Sequence, residues 1–130
     1  MISPQQINNE HVLAEVKAVF DRYETALVTN DLVMLDQFFW HSQLVVRFGI
    51  AENLYGIEAI REFRQSRSAS ALKRELKNTV ITTYGADFAT ATTEFVRDNG
   101  VHGRQSQTWV RFADGWRIVS AHVSFISTAV

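Results

Sequence analysis

The hydrophobic period of this chain is mainly helical in its first half and strand-like in its second. From Glu10 to Leu27 the apolar residues Val12, Val16, Val19, Phe20, Tyr23 and Leu27 recur at helical steps, while Glu10, Glu15, Lys17, Asp21, Arg22 and Glu24 lie mostly elsewhere. That spacing predicts an amphipathic helix of about five turns. Asn8-Asn9-Glu10 is its preferred start, and Ser3-Pro4-Gln5-Gln6, a capping box with proline at the first helical position, is a second possible one. Asn30 ends the helix. Asp31 caps a second, short one with Leu32, Leu35, Phe38 and Phe39 inward. Gln43 to Phe48 reads as a strand, with Val45 and Arg47 on the face opposite Leu44, Val46 and Phe48. Gly49 to Gly56 reads as a loop, and Ile57 to about Ser68 as a third helix.

From Leu72 onward the period is that of strands. Leu72 to Tyr84 and Phe88 to Arg97 alternate, with Gly85-Ala86-Asp87 and Asp98-Asn99-Gly100 as punctuation. A hairpin follows around Asp114-Gly115. Its first strand puts Gln105, Gln107, Trp109 and Arg111 on one face. Strict alternation in the second puts Trp116, Ile118, Ser120, His122 and Ser124 together, and Arg117, Val119, Ala121, Val123 and Phe125 opposite. Polar groups in file with large apolar ones suit the wall of a small-molecule pocket. Helices first and an antiparallel meander afterwards predict an α+β fold, with helices covering one face of a strongly curved, mostly antiparallel sheet. The stripe of Val119, Val123 and Phe125 on the other face predicts a homodimer through the backs of the sheets.

Composition narrows the function classes. The 130 residues are 46% hydrophobic, with one proline and six glycines, and are read as a single domain spanning 1–130. A net charge of −1 and no basic run leave no field to draw in nucleic acid or a membrane surface. No apolar stretch approaches the roughly 20 residues of a membrane helix. The opening Met-Ile-Ser-Pro-Gln-Gln lacks the pattern of a secretory signal. There is no cysteine, hence no disulfide or thiolate chemistry, and a cytoplasmic protein is the expectation. The absence of metal-ligand spacing, phosphate loop and serine elbow predicts no metal and no cofactor.

The residues with chemistry to offer are mainly arginines. Arg64 and Arg67 fall on the same helical face as Ile57, Ile60 and Phe63, with Glu58, Arg61, Glu62 and Gln65 pointing out. A buried guanidinium needs an anion or a set of carbonyls. One reading makes the pair a carboxylate clamp; the other pairs each with a carboxylate of the domain or of a dimer partner. Arg47 is a ligand group or an edge-strand surface residue, and Gly49 beyond it suggests a bulge or a close backbone approach. Tyr23 is a core residue or, beside a cation, a proton donor or acceptor. His122 is a core residue or a pocket group. Glu94 and Asp87 are the only strand-region carboxylates in view, which argues against a carboxylate base.

Five segments carry a resemblance: Arg22 to Leu27, Arg47 to Gly56, Phe63 to Arg67, Gly103 to Trp109 and Gly115 to Ser124. They resemble the AtzH-like family of the SnoaL, ketosteroid isomerase and nuclear transport factor superfamily, over about residues 9 to 126. The resemblance implies the cone-shaped, cystatin-like α+β fold. One branch decarboxylates a carboxylated urea, dicarboxyurea, and implies Tyr23 and Arg47 as its catalytic pair. Another, the HpxZ type, is encoded with oxalurate catabolism genes beside an amidase. The expected function is therefore cofactor-free decarboxylation of a carboxylated urea or an oxalurate-pathway step. Arg64, Arg67, Gln105, Gln107, Trp109 and His122 would line the substrate site. The alternative is a non-catalytic ligand-binding protein or an accessory to a partner amidase.

Overall fold

The computed structural model describes residues 1–67 and 73–127. A single 3-10 turn, Pro4–Gln6, precedes the first helix, and the Gln6 side chain accepts from Ser3 N at 2.8 Å. Helix α1 spans Glu10–Val28. Its start is capped by Asn9, whose Oδ1 accepts from His11 N and Val12 N. Asn30 takes a positive φ of 53° at its end, a conformation asparagine tolerates. Helix α2 spans Leu32–Phe38, and the Asp31 carboxylate accepts from Met34 N at 3.2 Å. Helix α3 spans Ile57–Ser66 and starts at Gly56, where a φ of 86° favours glycine. The expected end of α3 at about Ser68 gives way to an extended Arg67. The expected strand start at Leu72 lies outside the described residues.

Among the described residues six strands form one mixed sheet: β1 Val46–Phe48, β2 Asn53–Tyr55, β3 Arg74–Tyr84, β4 Phe88–Arg97, β5 His102–Phe112 and β6 Gly115–Phe125. Their order is β2-β1-β6-β5-β4-β3. Only β1 and β6 run parallel; the other neighbours are antiparallel. Strand β2 was expected as loop. It pairs Leu54 with Arg47 and so puts β1 inside the sheet rather than at its edge.

Two irregularities bend the long strands. In β3 the register shifts between Lys77 and Val80, so Asn78 and Thr79 together oppose Thr93, and Asn78 has a φ of 52°. In β6, Thr108 pairs with Ser120 but Trp109 pairs with Ile118, which leaves Val119 as an extra residue. Such bulges increase twist and re-aim side chains.

The second bulge corrects the faces expected for β6. Beyond Val119 the alternation reverses. Ala121 and Val123 join Gln107 and Gln105 on the inner face, beneath the helices, with Trp116 and Ile118. His122 turns outward, opposite Ser106. The stripe of Val119, Val123 and Phe125 expected on the sheet back is therefore not formed, because Val123 and Phe125 face inward.

One core joins Val16, Phe20 and Leu27 of α1, Leu35 and Phe38 of α2 and Ile57 and Ile60 of α3 to Ala89, Ala91, Trp109 and Ile118 of the sheet. Burying side chains of this size supplies the main driving force of folding.

Candidate functional site: a buried arginine cluster around Tyr23

The helical period that buries Val16, Phe20 and Leu27 also buries Tyr23, which is 3% exposed. Its ring meets Phe38, Phe39 and Trp109 at centroid distances of 6.2, 6.2 and 6.4 Å. Its hydroxyl accepts from Arg64 Nη2 at 3.3 Å. Arg64, 3% exposed, sits on the inward face of α3 with its guanidinium over the Phe39 ring. Its Nε and Nη1 are buried and have no hydrogen-bond partner.

Arg47, 7% exposed, points inward from β1. Its Nη1 donates to Glu52 Oε1 at 3.1 Å. Gly49 permits this pair, since a Cβ there would collide with the Glu52 carboxylate. What approaches Gly49 is therefore not the bulge or backbone expected there but the Glu52 side chain folding back across the glycine. Two guanidiniums approach the Phe63 ring, Arg47 at 5.0 Å and Arg67 at 5.6 Å from its centroid. Arg67 reaches Phe63 from beyond the helix end, and its Nε and Nη2 are also buried without a partner.

The inner face of β5 contributes Gln105, Gln107 and Trp109, all buried. Trp109 Nε1 donates to Gln107 Oε1 at 3.0 Å. Gln105 Oε1 accepts from Arg74 Nη2 at 2.9 Å, and Arg74 is gripped by Glu24 through bonds of 2.8 and 2.7 Å. Arg97 extends the positive charge, its guanidinium near the rings of Phe95 and Phe125.

These charges act on one another. Burial pushes the Tyr23 phenol up, but Arg64, Arg47, the Arg64 hydrogen bond and Arg74 outweigh it, so its pKa lies below the ordinary tyrosine value. Burial lowers Arg47, against the pull of Tyr23 and Glu52. Burial lowers Arg67 to about 10, helped by Arg64 and Arg47. Arg97 is lowered by burial and by Arg74. The cluster carries guanidiniums at Arg47, Arg64, Arg67, Arg74 and Arg97 against carboxylates at Glu24 and Glu52. The orphaned buried atoms of Arg64, Arg67, Arg97 and Gln105 are all donors. The chemistry asks for a small, acceptor-rich anion.

The structure brings together Tyr23, Arg47, Arg64, Arg67, Gln105, Gln107 and Trp109. It excludes His122, which is exposed on the outer face with its ring 5.8 Å from Phe48. The expected shortage of pocket carboxylates is also corrected. Glu94 and Asp87 lie elsewhere, bonded to Asn78 and Arg111, while Glu24 and Glu52 enter the site. Sequence reasoning missed Glu24, Glu52, Arg74 and Arg97. The alternation of Arg74 with Leu76, and of Arg97 with Phe95, was the available signal for the last two. An open groove of about 520 Å³ between α2 and α3 has Arg64 in its lining and so abuts the cluster. Among the described residues no His, Cys, Asp and Glu group could hold a metal ion. Among the described residues no helix is long and apolar enough to cross a membrane.

Comparison with known proteins places the chain as a whole. A protein of unknown function from Pectobacterium atrosepticum, assigned to the DUF3225 family, is 55% identical over 98% of this chain and 100% of its own, with a TM-score of 0.96. A cystatin-like fold protein from Burkholderia xenovorans is 48% identical over 95% and 98%, with a TM-score of 0.90. A nuclear transport factor 2-like superfamily protein from Salmonella enterica is 29% identical over 92% and 95%, with a TM-score of 0.74. No curated protein sequence matches this chain. The AtzH-like family model matches residues 5–129, nearly the whole length, and the chain belongs to the AtzH-like family.

Proposed function

We propose that this protein binds a small carboxylated urea and removes carbon dioxide from it without a cofactor. The observation that carries the reading is the set of unpartnered, buried guanidinium nitrogens of Arg64 and Arg67 beside Tyr23. Leaving such donors unmet costs about 1–3 kcal/mol each, a cost that a bound carboxylate removes. Arg47, Arg64 and Arg67 would hold the carboxylates, with Gln105 and Gln107 on the urea core.

The reaction balances with Tyr23 as acid. The bond between the urea nitrogen and its carboxylate carbon breaks, and carbon dioxide departs. The electron pair stays on nitrogen, which takes the Tyr23 hydroxyl proton. The resulting phenolate is stabilised by Arg64 and Arg47, and water restores the proton. The same guanidiniums that lower the phenol pKa make this transfer easier. The residue bonded to Tyr23 is Arg64, so the working pair is Tyr23 and Arg64, with Arg47 contributing charge.

The test is carbon dioxide release from dicarboxyurea and from oxalurate-type N-carboxylated ureides, with Tyr23→Phe as control. Release abolished by Tyr23→Phe supports the reading. Saturable binding with no release moves the protein to a binding or accessory role, such as steadying an amidase, and a cytoplasmic location fits either role.

A homodimer through the outer sheet face belongs to the same reading, on different residues from the Val119 stripe. Tyr55 of β2, Val80 of β3 and Phe88 of β4 are 66, 58 and 41% exposed there. Monomeric sedimentation at micromolar concentration would sink this part.

A further inference from the structure

The orientation of Gln105 is decided by chemistry. A guanidinium can only donate, so the atom that Arg74 Nη2 meets at 2.9 Å must be the amide oxygen. The NH2 is therefore the other end, and Gln105 Nε2 is buried with no partner. Arg74 is itself immobilised. Its two bonds to Glu24 are made by side chains only 4% and 15% exposed. Its guanidinium lies 4.5 Å from the centroid of the Phe95 ring. Phe95 can lie there because the strand opposite offers Gly103, where a Cβ would clash with the tip of the ring. A chain from Glu24 on α1 through Arg74 on β3 to Gln105 on β5 thus holds one amide in one of its two orientations.

We propose that Arg74 is a positioning residue that locks the Gln105 amide with its NH2 toward the bound anion. The site then selects a ligand with an acceptor oxygen at that point over one with an amide N–H. The proposal rests on the anion-binding reading above. Without Arg74 the amide is free to turn, and a flipped Gln105 would accept from an N–H as readily as the native one donates to oxygen.

The experiment is calorimetric titration with two probes, oxalate and oxamate, the second replacing one carboxylate by an amide. The variant Glu24→Gln/Arg74→Met removes both members of the ion pair at once and avoids a lone buried charge. Its oxalate-to-oxamate affinity ratio should fall by about tenfold, the value of one hydrogen bond to a charged acceptor. In a Gln105→Met background the same pair of substitutions should change the ratio no further, because Arg74 acts through Gln105. A merely structural role for Arg74 would weaken both probes alike and leave the ratio intact, which would overturn the proposal. So would a fall of equal size on the Gln105→Met background. If the double variant does not fold, Gln105→Met alone decides, since it must lower the ratio. Arg64→Gln separates the two readings. Oxalate binding undiminished in that variant defeats the anion site and this inference with it. Binding lost in Arg64→Gln with an unchanged ratio in the Arg74 variant defeats only the inference.

Discussion

Arg64 Nη2 stands 3.3 Å from the Tyr23 hydroxyl and joins α3 to α1 across 41 residues of sequence. Both side chains are buried, and the other two nitrogens of the Arg64 guanidinium, Nε and Nη1, are buried without a partner. The contact ties the first helix to the arginine cluster.

Tyr23 should titrate below the ordinary tyrosine value of about 10, and phenolate absorbance measures this directly. Its pKa is depressed on folding. Its contribution to stability is therefore complete above the unfolded value and lost as pH falls through the folded one. The stability difference between the wild type and Tyr23→Phe should accordingly grow in favour of the wild type as pH rises toward 10. Arg64→Gln removes the nearest charge and should raise the tyrosine pKa. An unmoved titration in that variant would refute the coupling.

Arg67→Met should stabilise the unliganded protein. Arg67 has its pKa lowered to about 10, so its charged form is disfavoured in the fold at neutral pH, and that cost eases only as pH rises through about 10. Removing the charge should raise Tm at pH 7 by about 2–5 °C. The same variant should lose the extra thermal stability that oxalate confers on the wild type. A lowered Tm without ligand would show that Arg67 is already satisfied.

Glu52→Gln tests the internal counter-ion of Arg47. The Glu52 carboxylate stands where a ligand carboxylate would compete for the same guanidinium. Neutralising it should tighten oxalate binding by about tenfold or less and lower the unliganded Tm slightly. Weaker oxalate binding in the calorimeter would instead make Glu52 an orienting group for Arg47.

Gly103→Ala should destabilise the fold by about 1–3 kcal/mol or more, because the new methyl occupies the place of the Phe95 ring. Urea unfolding reads the change. Combining it with Phe95→Leu should recover part of the loss, and no recovery would mean that the strain lies elsewhere.

Much of the fold was legible in the chain because local patterns suffice for it. Val12 to Leu27 carries a helical period, Asn9 and Asp31 have capping side chains, and Asp114-Gly115 turns a hairpin. Arg64 was legible too, since burial of Ile57 and Ile60 carries it inward on the same helical face. Strand β2 was not. Its three residues have no period of their own and become a strand only by pairing with β1.

The sequence by itself determined the order of the three helices and the four long strands, the inward placement of Tyr23 and Arg64, and the shared face of Gln105, Gln107 and Trp109 on β5. These follow from periods of two and 3.6 residues, which a reader can count. The tertiary structure decided which way His122 points, because one extra residue at Val119 reverses every face beyond it. It also decided that Glu24 meets Arg74 from 50 positions away, that Gly49 admits Glu52 to Arg47, and that Arg64 rather than Arg47 holds the Tyr23 hydroxyl. Those contacts depend on how helices lie across a bent sheet, and no local period encodes that distance.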